Sequence, residues 1–197
     1  ARIPVDGCTL IGVVDEFGFL KKGEIFAQVD SERDGCFKPV KGKVMVGRSP
    51  TIHPGHVRVV NAVVPPKGHP LWELRNVLVF TKCPVGRPLQ SILSGGDLDG
   101  DIYAIYEDSR LFPKRIESPA QYKNVPPRSL AGPCTFTDLD DFFVDCVIND
   151  QVGLVSHFHL QISDKSELHS LDPDCIKLAQ LHSKAVDYRK TGQAVHR

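Results

Sequence analysis

This sequence predicts an α+β fold in two blocks, β-rich to about residue 108 and helical from Thr137 onward. Three observations carry that expectation. Short apolar runs rich in β-branched residues alternate with turn residues, a proline-rich stretch follows them, and the periodicity then becomes helical. The composition suits a folded chain, since the 197 residues are 41% hydrophobic, 24% charged and 8% aromatic, globular rather than disordered.

In chain order, segments 10–14, 24–29, 42–46, 56–60, 76–80 and 102–106 read as strands. Short strands at this spacing suggest a closed barrel or a sandwich. Pro113, Pro119, Pro126, Pro127 and Pro133 mark an extended connector. Beyond it, Leu139, Phe142, Phe143, Cys146 and Val147 recur at helical spacing, and a second helix is expected over 153–162. Asp172 as N-cap and Pro173 at the first position open a third, with Ile176, Ala179, His182/Ser183 and Val186 as its apolar stripe and Lys190-Thr191-Gly192 as its end. The expected division is therefore 1–112, 113–136 and 137–197.

Charge and cysteine usage narrow the function classes. Lys plus Arg equals Asp plus Glu at 24 each, so net charge says nothing about nucleic acid. No apolar run approaches the ~20 residues of a membrane helix, and the first residues do not resemble a signal peptide. The cysteines at 8, 36, 83, 134, 146 and 175 form no C-x-x-C pair, against a zinc ribbon or a dense disulfide framework. Free thiols in a reducing compartment, cytoplasm or nucleus, are expected. The chain starts without Met and stops at His196-Arg197 with no evident terminus, which reads as a piece of a longer polypeptide.

The chemistry concentrates in Gly95-Gly96-Asp97-Leu98-Asp99-Gly100-Asp101. Crowded carboxylates raise one another's pKa unless a cation neutralises them. Mg²⁺ is bound through one or two carboxylates plus substrate phosphates. In an extended segment Asp97, Asp99 and Asp101 would converge, with Leu98 pointing inward and Gly100 letting the backbone bend. Nucleotidyl transfer uses such a cluster with two ions, one at the attacking hydroxyl and one at the leaving group. An EF-hand loop would need Gly at its sixth position and Glu at its twelfth, where this chain has Ile102 and Asp108. An irregular Ca²⁺ site and a solvated acidic turn remain as alternatives on spacing alone.

Ser94-Gly95-Gly96-Asp97-Leu98-Asp99-Gly100-Asp101-Ile102-Tyr103 resembles the signature of the eukaryotic cellular RNA-dependent RNA polymerases of RNA silencing. Further landmarks follow the family's order. Residues 12–18 resemble its "GVxDExG" strand, 48–55 its "RxPxxHPG" segment and 185–192 its "AVDxxKTG" block. The resemblance implies a double-psi β-barrel of the RNA polymerase largest-subunit type, followed by a mostly helical segment. It implies Mg²⁺-dependent RNA-directed RNA synthesis, making double-stranded RNA on a single-stranded template from NTPs, with two Mg²⁺ ions that Mn²⁺ can replace. Asp97, Asp99 and Asp101 would be the catalytic metal ligands, and Arg48 would approach the ribose of the incoming nucleotide. It also implies an upstream barrel, missing from this chain, that supplies lysines to the triphosphate; the piece alone would be inactive. A homodimer is open. His56 departs from the family, which commonly has Asp there, and reads as a pairing partner rather than a ligand.

Lys82 and Arg87, with Arg58 and Arg75 further back, are candidates to line a template groove, since phosphate neutralisation dominates nucleic-acid affinity. Lys190 is a candidate RNA or phosphate contact, or a cation favoured by a helix C-terminus. Trp72, Phe80 and the tyrosines read as core or partner-facing. Two competing functions stand beside the polymerase: another two-metal phosphoryl enzyme (nuclease or phosphatase), and a non-catalytic RNA- or Ca²⁺-binding module.

Overall fold

A computed structural model describes residues 5–30, 36–82, 86–121 and 126–194. Cys83 lies outside the described residues. The chain divides into two compact units, Ala1–Pro119 and Ala120–Arg197, the division falling inside the proline-rich stretch.

The first unit holds β1 (Gly7–Val14), β2 (Glu24–Asp30), β3 (Phe37–Pro39), β4 (Gly42–Arg48), β5 (Arg58–Ala62), β6 (Val77–Phe80) and β7 (Ile102–Tyr106), with a one-turn helix α1 (Leu89–Ile92) before β7. Hydrogen bonding runs β2-β5-β4-β7-β1-β6 and returns from β6 to β2, so these strands close a barrel. β3 pairs only with β2, as an antiparallel arm outside the ring. The pairings β1–β6 and β2–β5 are parallel and the other ring pairs antiparallel, which makes the barrel mixed. Closure leaves no unpaired edge within the ring.

The strands read as continuous apolar runs because both faces of β2 and β6 are covered. Ile25, Ala27, Leu78 and Phe80 face the barrel interior with Val44, Val46, Tyr103 and Ile105. The alternate residues Phe26 and Val79 join Leu20 and Leu71 in a second cluster outside it. Trp72 closes that cluster edge-on to Phe26, 5.8 Å between centroids, and its indole N–H donates to the Pro66 carbonyl at 3.0 Å.

Most strands fall where the pattern puts them. The segment expected to begin at His56 starts instead at Arg58, because Pro54–His56 forms a 3-10 turn capped by the His53 side chain. β3 and α1, three and four residues long, carry too little pattern to announce themselves.

The second unit contains α2 (Phe136–Ile148), α3 (Val152–Lys165), α4 (Pro173–Val186) and α5 (Tyr188–Thr191). A capping box between Thr135 and Asp138 opens α2, and the Asp172 carboxylate caps α4. α3 and α4 pack together through Val155, His159, Cys175, Ala179 and His182. The buried stripe of α4 is thus Cys175, Ala179, His182 and Ala185, one residue round from the expected one, and Val186 is exposed. α4 also stops at Val186; the chain re-enters a turn at Asp187, and Gly192 at φ 67° ends α5. The apolar stripe of α2 is present but buries nothing: Phe143 is 70% exposed and Val147 65%.

Candidate active site

The acidic loop joins α1 to β7 at one end of the barrel. It is a folded-back turn, not the extended segment expected. Ser94 (φ 54°), Gly95 (73°), Leu98 (66°) and Gly100 (118°) all take left-handed backbone, a conformation that costs a side-chain-bearing residue of order 1–3 kcal/mol. The expected convergence is nevertheless there. One carboxylate oxygen from each of Asp97, Asp99 and Asp101 lies within 4.8 Å of the others.

The three acids are not equivalent. Asp97 and Asp99 are exposed, whereas Asp101 is 8% exposed. Its Oδ2 accepts from the Asp97 N–H at 2.8 Å, the Leu98 N–H at 3.4 Å and the Tyr103 hydroxyl at 3.3 Å. Its Oδ1 pairs with Arg48 Nη2 at 2.5 Å. Burial works to raise the pKa of this carboxyl, but the Asp97 N–H, the Arg48 guanidinium and the Leu98 N–H outweigh it and hold the pKa below the usual carboxylate range. Asp101 therefore serves as the loop's own anchor as well as a potential ligand.

Strand register explains the meeting of Arg48 and Asp101. Arg48 ends β4 directly opposite Tyr103 of β7, two residues past Asp101. On the other side of β7, Leu10 of β1 faces Tyr103, and the Gly12 N–H donates to the Asp101 carbonyl at 2.9 Å. Tyr103 is fully buried, edge-on to Phe80 at 4.7 Å; burial foremost, and the nearby Asp101 charge, push its hydroxyl pKa up. Two glycines make room for it. A Cβ on Gly96 would stand 2.1 Å from the Tyr103 hydroxyl, and one on Gly12 2.4 Å from its ring.

A second layer ties the loop to the β4–β5 connection. Arg48 Nη1 donates to the Ser94 carbonyl at 3.0 Å. The Ser94 hydroxyl lies 2.9 Å from the Pro50 carbonyl, 3.2 Å from the Arg48 carbonyl and 3.0 Å from Nδ1 of His56, which is buried. The peptide before Pro50 is cis.

The other expected contacts distribute differently. Lys82 is an exposed side chain just past β6. Arg87 folds onto α1, with Nη2 2.6 Å from the Ser91 carbonyl. Arg58 acts as a staple, donating to the Val57 and Glu117 carbonyls, and burial followed by the neighbouring Arg87 lowers its pKa. Arg75 stacks over Phe37 at 4.9 Å. Lys190 belongs to the helical unit, exposed on α5 beside a cleft of about 600 Å³ lined also by Arg128, Phe142 and Tyr188.

Sequence reasoning misses the supports. Ser94 and Tyr103 lie inside the quoted motif, yet their roles depend on a register that no linear pattern encodes. Asp15 is a third. It is fully buried, and its carboxylate accepts from the N–H groups of Phe17, Gly18 and Leu20, which holds the turn after β1.

An all-oxygen donor set suits a hard divalent cation. Opposed ligands of Mg²⁺ stand about 4.2 Å apart at its usual 2.0–2.1 Å bond lengths, so exposed Asp97 and Asp99 need move little to fit one. A closed mixed barrel carries, on one of its loops, an acidic cluster that could hold such an ion. The comparisons assign the family: the profile described as "RNA dependent RNA polymerase" matches residues 1–197. The chain is 38% identical to "Probable RNA-dependent RNA polymerase 2" of Oryza sativa subsp. japonica, over 94% of this chain and 17% of that protein. It is 36% identical to "RNA-dependent RNA polymerase 1" of Schizosaccharomyces pombe, over 95% of this chain and 17% of that one. Among solved structures, "RNA dependent RNA polymerase QDE-1 from Thielavia terrestris" superposes with a TM-score of 0.70 at 23% identity, over 94% of this chain and 22% of that one. This chain belongs to the RNA-dependent RNA polymerase family, with the double-psi barrel and helical segment of that fold. It spans about a fifth of the length of these relatives.

Proposed function

We propose that this chain is the catalytic-core portion of an RNA-directed RNA polymerase. The reaction is attack of an RNA 3′-hydroxyl, or of an initiating nucleotide, on the α-phosphate of an NTP along a single-stranded RNA template, giving double-stranded RNA for small-RNA silencing. The observation that supports it is the convergence of Asp97, Asp99 and Asp101 on one loop of a chain of this family. When bound there, Mg²⁺, or Mn²⁺ in its place, would offset the charge developing on the attacking and leaving oxygens.

The protein groups divide the work. Asp97 and Asp99 would present exposed carboxylates to metal and substrate, and Asp101 one whose orientation is set by Arg48, Tyr103 and the loop's N–H groups. Arg48 is a quarter exposed, so an N–H that Asp101 and Ser94 leave unused could meet the nucleotide sugar without the guanidinium turning. Lys82, Arg87 and Lys190 are exposed cations that RNA phosphates could engage, Arg87 while bonded to Ser91. The rest of the polypeptide would supply the cations for the triphosphate. The described cysteines are free thiols, in keeping with an intracellular, reducing location.

The test is templated NTP incorporation by the full-length protein and by its Asp99→Asn variant. Asp99 is preferred to Asp101 because its side chain is exposed, whereas that of Asp101 is buried against Arg48. Incorporation lost in the variant, with an unchanged melting temperature, supports the reading. Retained incorporation sinks it, and cleavage of RNA without synthesis points to a two-metal nuclease instead.

A further inference from the structure

The hydrogen-bond chain behind the aspartates gives His56 and Ser94 a task that neither motif assigns. We propose that the pair formed by buried His56 and half-buried Ser94 is a positioning device that holds Arg48 on Asp101, and through it sets the orientation of the innermost metal-binding carboxylate. This rests on the reading of the aspartates as metal ligands given under Proposed function.

Three polar groups surround the Ser94 hydroxyl. The Pro50 carbonyl lies 2.9 Å from it, the Arg48 carbonyl 3.2 Å and His56 Nδ1 3.0 Å.

The consequence for Arg48 follows from what this chain spans. The 48–50 segment is fastened to Ser94 from both sides. The Ser94 hydroxyl lies against its carbonyls, and the Arg48 side chain reaches back to the Ser94 carbonyl at 3.0 Å. The guanidinium is fixed by that contact on one nitrogen and by Asp101 on the other. Its planar fork has little freedom while Ser94 stays in place. Ser94 is itself in the left-handed region at φ 54°, a state a non-glycine residue keeps only when its surroundings impose it. His56 is one of those surroundings, beside the Pro50 and Arg48 carbonyls. It is buried on the Pro54–His56 turn, whose own cap is the His53 side chain accepting from the Gly55 N–H at 2.9 Å. Removing the imidazole frees Ser94, then Arg48, then the Oδ1 side of Asp101. The Oδ2 side, held by Tyr103 and the loop N–H groups, is untouched. The carboxylate then keeps its place and loses its rotational setting.

Two variants remove the device and one restores it. His56→Leu deletes the imidazole partner and Ser94→Gly deletes the hydroxyl while accepting positive φ. His56→Asn keeps a polar nitrogen at the distance of Nδ1. Two readouts are taken on the 197-residue chain or its full-length parent. The first is ¹⁵N NMR of the Arg48 guanidinium, where a fixed fork shows slow rotation about its Cζ–Nη bonds. The second is Mn²⁺ titration followed by electron paramagnetic resonance. His56→Leu and Ser94→Gly are expected to speed the rotation and to weaken Mn²⁺ binding about 10-fold, with His56→Asn within about 2-fold of wild type. Unchanged rotation in both deleting variants overturns the proposal, as does faster rotation with unchanged Mn²⁺ affinity. A wild-type chain that binds no Mn²⁺ counts against the proposed function rather than the device, which the rotation measurement still decides. If one deleting variant loses its fold, the other decides the matter.

Discussion

Asp101→Asn isolates the electrostatic part of the site from its shape. The amide oxygen can still accept from the Asp97 and Leu98 N–H groups and from Tyr103, so the turn keeps its closure. The amide nitrogen, however, faces Arg48 Nη2, donor against donor, where an ion pair stood at 2.5 Å. Removing one partner of a buried pair costs roughly 3–5 kcal/mol. The Arg48 side chain is 25% exposed and that of Asp101 only 6%, so water recovers part of the loss and about 2–3 kcal/mol is expected. For a chain of this size that lowers Tm by about 5–10 °C. The pH dependence has a definite sign. The folded-state pKa of Asp101 lies below its ordinary value, so its contribution is complete above the unfolded value of about 4 and is lost as pH falls through the folded one. Thermal or urea unfolding of wild type and variant, without divalent metal, should show the full gap at pH 7 and a narrowing gap below about pH 4. Equal stabilities at pH 7, or a gap indifferent to acid, would refute the anchoring role.

Three other expectations test neighbouring parts of the structure. Gly96→Ala should cost about 1–3 kcal/mol by driving a methyl into the Tyr103 hydroxyl, and adding Tyr103→Phe should return part of it in a double-variant cycle read by urea unfolding. Asp15→Ala leaves the N–H groups of Phe17, Gly18 and Leu20 without their acceptor, so unfolding should register a loss of about 3 kcal/mol; a change under about 1 would mean the turn reorganises at little cost. Phe143→Ser on exposed α2 should change the stability of the 197-residue chain by no more than about 0.5 kcal/mol, and a larger loss in calorimetry would show that this face is covered in solution.

Much of the architecture is legible in the sequence because its causes are local. β7 can be read with its full bounds at 102–106, and the start of α4 from Asp172 and Pro173, since a β-branched run between turns and a capped first turn are short-range signals. The pattern fails where a distant contact overrides it. His56 looks like the start of a strand and is the buried end of a 3-10 turn, and α2 has the periodicity of a packed helix but buries none of its residues.

The acidic loop shows the same boundary. Its residue types and spacing lead to the expectation of three convergent carboxylates, because charge crowding is a property of adjacent residues. The sequence does not reveal that convergence comes from left-handed turns rather than from an extended segment. Nor does it distinguish Asp101, buried under Arg48, from Asp97 and Asp99, which stay exposed. That difference comes from the β4–β7 register, which brings position 48 beside position 101 between neighbouring strands, and register is a property of paired strands, not of either one.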